Sequence, residues 1–329
     1  MPICTSCATP TEYLYTVYDS AYNFRLEQCT SCHAFADPYV EHDTLTLLLD
    51  LILLKRDVYR HLLYNRGLGA RRAGDRASPK SEELANKTRQ QYHDQSARRW
   101  LIARLGLALV CLDAFIRWTH ISTNQPRNAS QIASWNQAAL EGFARILVGC
   151  IFETAAFHAG VVFACYLVLH ALPAPPPGAP VSGIREQFRY SHIPLTLLYS
   201  SLTKLFLLFC LSIWRPNVHS DHPASGTAST TPLHPDATVF AHPLFLQALA
   251  LLDEDTLDRE WVVRNVLGGM AAGFGLRVVL DCHPVFTTAV ILAGWAVKNA
   301  VAHFVSGWVE IGLGMGGAVG EMWLAYSIP

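Results

Sequence analysis

The sequence predicts an all-α bundle of about five membrane-spanning helices, with a sixth tract left open, preceded by a small N-terminal β-structured head. Three observations carry that reading. Hydrophobic residues make up 51% of the 329 positions and charged ones only 16%, against roughly 25% charged in an ordinary soluble domain. The apolar residues gather after Trp100 in long tracts, each close to the ~20 residues that cross about 30 Å of hydrocarbon. Four of the nine cysteines stand in the first 32 residues as two Cys-x-x-Cys pairs. With 25 Lys and Arg against 26 Asp and Glu, the chain is nearly neutral, which excludes a nucleic-acid-coating protein, and its apolar content excludes a disordered one.

The head is read as residues 1–66. Cys4, Cys7, Cys29 and Cys32 form C-x2-C-x21-C-x2-C, a spacing slightly longer than the roughly 15 to 20 residues common between such pairs. A two-residue spacer lets one tight turn aim both thiolates of a pair at one ion. Two such pairs complete a tetrahedron with Zn–S distances of about 2.3 Å. Glu12–Tyr18 and Asn23–Gln28 are rich in strand formers and flank the turn Asp19-Ser20-Ala21-Tyr22, so two short strands bring the pairs together as a zinc ribbon. The alternatives are two disulfides or unrelated thiols. No basic stretch followed by an apolar one opens the chain, so the head is expected in the reducing cytosol, where disulfides are rare. One structural Zn2+ per chain is the expectation, in a closed site with no position left to activate water.

Behind the ribbon, Thr44–Leu54 is an apolar run of half a span, followed by Lys55-Arg56-Asp57-Val58-Tyr59-Arg60-His61-Leu62-Leu63-Tyr64-Asn65-Arg66. A helix lying in the cytosolic interface, with Lys55, Tyr59, Arg60, His61, Tyr64 and Arg66 toward anionic headgroups, suits this pattern. A soluble helix packed on the ribbon suits it also. Residues 67–99 then change to Gly, Ser, Arg, Lys, Gln and Asp, which reads as a basic flexible linker with a helix start near Ser81.

The bundle occupies residues 100–329. Expected spans are Leu101–Trp118, Ile146–Leu172, Ile193–Trp214, Val262–Leu280 and Val285–Val305, the last two joined by a tight turn at Asp281-Cys282-His283-Pro284. The Gly-rich tract Trp308–Ala325, interrupted by Glu310 and Glu321, is the open sixth. From Lys55 to Arg99 there are 12 Lys and Arg against 5 Asp and Glu, whereas Ile121–Gly142 carries only Arg127 and Glu141. This asymmetry puts the head in the cytosol. The acidic, polar loop 215–261 and the glycosylation signal Asn128-Ala129-Ser130 then fall on the lumenal side.

At this point the head resembles the Arv family of endoplasmic-reticulum lipid-homeostasis proteins. The resemblance rests on both cysteine pairs, Ala36-Asp37-Pro38-Tyr39, Leu51-Ile52-Leu53-Leu54-Lys55 and Tyr59-Arg60-His61-Leu62-Leu63-Tyr64-Asn65, and it covers Ile3 to about Arg66. The 67–99 linker looks like an insertion relative to shorter members. What the resemblance implies is a non-enzymatic, multi-pass membrane protein of the endoplasmic reticulum, with the Golgi as a second compartment. Its implied roles are sterol distribution, sphingolipid homeostasis and, in some members, glycosylphosphatidylinositol anchor assembly. The implied partners are sterols, sphingolipids or anchor precursors, with a lipid-biosynthetic enzyme as the alternative partner if the protein is an accessory subunit.

Charges inside apolar tracts complete the candidates. Glu153 and Lys204 are opposite in sign and flanked by apolar residues, and an unpaired charge at the bilayer centre costs at least about 2.5–3.5 kcal/mol. They are read either as a polar pocket for a sterol hydroxyl or lipid headgroup, or as a buried ion pair. Gly269 and Gly273, like Gly312, Gly316 and Gly320, offer small faces for helix packing or a dimer seam. No Gly-x-Ser-x-Gly, Gly-x4-Gly-Lys or His-Glu-x-x-His motif occurs, and no histidine has Asp five residues later, so no known catalytic signature supports an enzyme.

Overall fold

The computed structural model describes residues 1–18, 23–72, 80–123, 137–171, 182–213 and 262–313. The Asn128 glycosylation signal, the loop 215–261, Gly316, Gly320 and Glu321 lie outside them.

In the head, β1 (Tyr15–Val17) and β2 (Phe24–Leu26) pair antiparallel, with Tyr15 opposite Leu26. A third strand, β3 (Ala70–Arg72), runs parallel to β1 on its other edge. It lies in the segment that composition marks as linker. Gly69 makes this return possible: its φ is 82°, and a Cβ there would stand 2.6 Å from Leu14 Cγ. Its carbonyl accepts from the backbone N–H groups of Leu14 at 2.8 Å and Tyr15 at 3.3 Å, so glycine permits both the turn and the close approach.

Two short helices follow β2. In α1 (Thr44–Ile52) the Asp43 side chain caps the first turn by accepting from Thr46 N–H at 3.1 Å, as an N-cap Asp does. Leu54, at φ 57°, turns the chain into α2 (Arg56–Arg60), which continues as a π-turn over His61–Asn65. The long helix α3 (Lys80–Thr123) begins within the segment expected to be linker and runs through Leu101–Trp118. Then come α4 (Gln137–Ala171), the short α5 (Gly183–Gln187) and α6 (His192–Ile213). A π-turn at Val263–Leu267 leads into α7 (Gly268–Leu280), and α8 (Pro284–Leu313) follows. Asp281, in the left-handed conformation at φ 46°, closes α7 and sets the expected turn before Pro284.

Among the described residues, four segments are long and apolar enough to cross a membrane: Ala139–Ala171, His192–Leu211, Val263–Leu280 and Pro284–Val309. They match four of the five expected spans. The fifth, Leu101–Trp118, is helical, but Arg104, Asp113 and Arg117 within it set it apart by composition. Trp308–Leu313 continues α8 without a break, so this part of the open sixth tract belongs to the fifth expected span.

Three buried clusters hold the elements together. The first joins the head to the bundle, with Ile3, Tyr39, Leu51, Tyr59 and Leu63 against Leu195, Val278 and Val279. The second packs α4, α6, α7 and α8 around Val161, Leu197, Leu276 and Val290. The third packs α3 against α4 and α8 through Ala114, Ile146 and Val309. Helices α4 and α8 approach closely at Gly160 and Gly294, where an added Cβ would meet Val297 at 3.1 Å and Val161 at 2.4 Å. Gly269 and Gly273 have no atom within 4 Å of an added Cβ. The intramolecular packing expected of that pair is therefore made by other glycines.

Candidate metal centre and intramembrane cavity

The two cysteine pairs fold as near-copies of one turn. Ala8 N–H donates to Cys4 O at 2.9 Å and His33 N–H to Cys29 O at 3.0 Å; Cys4 N–H donates to Thr9 O at 2.9 Å and Cys29 N–H to Ala34 O at 2.8 Å. In each turn the residue after the second cysteine is left-handed, Ala8 at φ 64° and His33 at φ 60°. All four Sγ atoms lie within 4.8 Å of one another. The Cys4–Cys32 and Cys7–Cys29 separations are 3.7 and 3.6 Å, close to the ~3.8 Å that a tetrahedral ion with about 2.3 Å metal–sulfur bonds requires. All four are free thiols, so the disulfide alternative does not describe this fold.

The thiols are not equivalent. Burial tends to raise the Cys7 pKa, but hydrogen bonding with Thr9 and with Cys29 and Cys32 outweighs it and brings the value down to about 6. Burial holds Cys4 up at about 12. A cation at the centre of the cluster displaces the remaining protons, because thiolates are the metal-binding form. The arrangement can hold a metal ion.

Four of the six residues expected at a lipid surface are turned inward here. Arg60 Nη1 donates to Thr5 O and Ser6 O, both at 2.7 Å, and so grips the first cysteine turn from α2. His61 Nδ1 and Asn65 Nδ2 each lie 2.7 Å from Asp37 Oδ2. Asn65 also donates to Ile3 O at 2.8 Å and accepts from Ile3 N–H at 2.9 Å. Tyr59 is fully buried against Phe274 of α7, and Tyr64 packs edge-on to His192 of α6, with ring centroids 6.2 and 4.8 Å apart. Of the six, only Lys55 and Arg66 face solvent, and Lys55 pairs with Asp50 at 2.7 Å, holding that carboxyl below its ordinary pKa. The outward apolar surface is instead on α1 and just past it, where Leu45, Leu48, Leu49 and Leu53 are 42–68% exposed.

Sequence reasoning did not assign roles to Asp37 and Asn65. The signal was present: Asp before Pro is a turn-capping arrangement, and Asn65 lies one turn beyond His61 on the same face.

A cavity of about 650 Å³ opens among α3, α4, α6, α7 and α8. Its walls are apolar at Phe157, Leu197, Ile291 and Trp295 and polar at Asp113, Arg117, Lys204, Arg264 and Lys298. Arg117 binds Asp113 and Glu153, each at 2.9 Å, and Arg264 approaches Asp113 at 3.6 Å. The expected Glu153–Lys204 pairing is therefore not made: Arg117, one helix over and with two nitrogens to offer, takes the Glu153 carboxylate. Lys204 and Lys298 face the cavity with no carboxylate within 4 Å among the described residues.

The Arv1-like family model matches residues 3–226. The chain belongs to this family. It is 31% identical over 211 residues to Protein ARV 2 of Arabidopsis thaliana, covering 64% of this chain and 72% of that one. To Protein arv1 of Schizosaccharomyces pombe it is 46% identical over 63 residues, and to Protein ARV1 of Saccharomyces cerevisiae 44% over 63 residues. Those two matches span 24% and 19% of the relatives' lengths. No solved structure matches this Arv1-like chain.

Proposed function

We propose that this Arv1-like chain takes up a membrane lipid in its intramembrane cavity and thereby maintains sterol distribution and sphingolipid homeostasis at the endoplasmic-reticulum membrane. The observation that carries the reading is the cavity itself. It is built from apolar helices, has a volume of about 650 Å³ and combines apolar walls with a polar cluster, the combination a lipid tail and headgroup need. The role is non-catalytic. The four thiolates hold one Zn2+ as a structural ion that fixes the head. The head lies on the cytosolic side, where α1 presents its leucines to the hydrocarbon edge.

The glycines that line the cavity supply the test. Gly273 has open space around an added Cβ, so Gly273→Leu fills the cavity without displacing backbone. Cells lacking the protein and rescued with wild type should regain normal sterol distribution, and cells rescued with Gly273→Leu should not. Full rescue by a stably inserted Gly273→Leu would turn the reading to an accessory subunit, with co-purification of a lipid-biosynthetic enzyme as its mark.

A further inference from the structure

Among the described residues, the polar side of the cavity carries more cations than carboxylates. Four cations belong to it: Arg117, Lys204, Arg264 and Lys298. Among the described residues two carboxylates answer them, Asp113 in the wall and Glu153 behind Arg117. Both carboxylates are engaged by the arginines, Asp113 by Arg117 and Arg264, Glu153 by Arg117. Two ammonium groups, Lys204 on α6 and Lys298 on α8, therefore face one space from opposite helices. Further hydrogen-bonding capacity lines it: His158 Nε2 and Asn265 Nδ2 have no partner among the described residues.

A neutral lipid hydroxyl leaves this surplus uncompensated. A cation in hydrocarbon is tolerated when it pairs or meets water, and the ligand that supplies the pairing is an anion. A phosphate carries between one and two negative charges near neutral pH together with several strong acceptor oxygens. That matches the two lysines and the Asn265 amide, while His158 Nε2, an acceptor because Nδ1–H donates to Thr154 O at 2.8 Å, suits a protonated phosphate oxygen. The wall beyond them, Phe157, Leu197, Ile291 and Trp295, takes an apolar tail.

We infer that the cavity binds a lipid with a phosphate headgroup, the phosphate seated between Lys204 and Lys298. The inference rests on the reading that the cavity holds a lipid, and it names the class. Recognition is by charge: the lysines attract the phosphate, the arginine–carboxylate cluster holds the wall in place, and the tail lies along the apolar side.

The experiment uses the full chain purified in a neutral maltoside detergent, with fluorescent short-chain phosphatidic acid as the probe. Unlabelled dioctanoyl phosphatidic acid, inorganic phosphate and cholesterol serve as competitors. Saturable binding displaced by phosphatidic acid and not by cholesterol is expected. Lys204→Met with Lys298→Met should weaken it about tenfold or more, as loss of charge-assisted contacts does, with an unchanged or higher melting temperature. Displacement by inorganic phosphate at the same concentrations would overturn the lipid assignment and leave a free-anion site. Cholesterol displacing the probe, with the lysine variant binding as wild type, would overturn the phosphate assignment while leaving a neutral-lipid cavity intact. Absence of binding by any of the three would overturn both readings. The competition among wild-type ligands stands even if the lysine variant does not fold.

Discussion

The head and the bundle both bury polar and charged groups, and they treat them in opposite ways. In the head, the groups close on one another. Asp37 receives His61 and Asn65, Asn65 also satisfies both backbone atoms of Ile3, and Arg60 takes two carbonyls of the first cysteine turn. Such a network resists movement because each partner loses its hydrogen bonds if another leaves. In the bundle, one cluster closes in the same manner around Arg117, while Lys204 and Lys298 face a cavity. The first arrangement specifies one structure. The second leaves room for something to enter, and a protein that needs a rigid anchor and a receptive chamber has both.

The two regions are expected to part most sharply when the Zn2+ proposed for the cysteine cluster is removed. Structural four-ligand zinc sites contribute about 10–16 kcal/mol of apparent binding free energy, and the head's strands are only three residues long. Cys29→Ser, or a strong chelator, is expected to lose the metal and open residues 1–72 to protease, while the helical signal of the bundle persists. Metal analysis of the purified chain should give about one zinc per protein before treatment. A head that resists protease with no metal bound would show that the Asp37 and Arg60 contacts suffice alone.

Next in size are the buried charge networks, and here the two regions should respond alike but separately. Arg117→Met leaves Asp113 and Glu153 facing one another without their shared cation. Removing one member of a buried pair costs about 3–5 kcal/mol. Asp37→Ala, which takes the partner of His61 and one of the three hydrogen bonds of Asn65, belongs to the same class. The first variant should lower the melting temperature of the bundle and leave metal content unchanged. The second should accelerate metal loss to a chelator and spare the bundle. Equal effects of both variants on both readouts would show that head and bundle unfold as one unit through the contacts of Tyr59 and Tyr64.

These networks also mark what the sequence made legible. The cysteine cluster was readable because both pairs carry their geometry within four residues, and the strands between them follow local preference. Four spans were readable from length and apolarity alone. The partner of Glu153 was not, because Arg117 lies 36 residues away in sequence and sits beside it only once α3 packs on α4. Composition also left the role of Tyr59–Asn65 open between a lipid-facing helix and one packed on the ribbon. A basic, aromatic helix next to an apolar run has the pattern of a lipid-facing surface, and only the tertiary fold shows that its hydrogen bonds go to Thr5, Ser6, Ile3 and Asp37. Strand β3 stayed hidden because its three residues, Ala70-Arg71-Arg72, have no strand signal of their own; Gly69 and the open edge of β1 recruit them.

A smaller effect separates two kinds of helical glycine within the bundle. Gly294→Ala pushes a methyl group into Val161 at the α4–α8 seam, and overpacking of that kind costs about 1–3 kcal/mol. Gly273→Ala meets nothing within 4 Å and should instead stabilise α7 by up to about 1 kcal/mol through helix propensity. Thermal unfolding of the two variants should therefore shift in opposite directions. Destabilisation by Gly273→Ala would mean that α7 needs its glycine for a contact with another molecule.

The smallest effect lies back in the head, where the cysteine turns hold two residues in a conformation that L-amino acids avoid. Ala8 and His33 both sit near φ +60°, at a cost of roughly 1–2 kcal/mol each. Glycine removes that cost and adds back about 0.5–1 kcal/mol of chain entropy on folding, so Ala8→Gly should stabilise the head by about 0.5–1 kcal/mol. The reverse change at Gly69, also at positive φ but pressed against Leu14, adds a clash to the strain and should destabilise it. A chelator competition reads both: Ala8→Gly should hold its metal slightly longer than wild type, and Gly69→Ala should release it sooner. If Ala8→Gly released metal faster, the Ala8 methyl group, buried in the cluster that joins head to bundle, would be contributing more by packing than its backbone loses by strain.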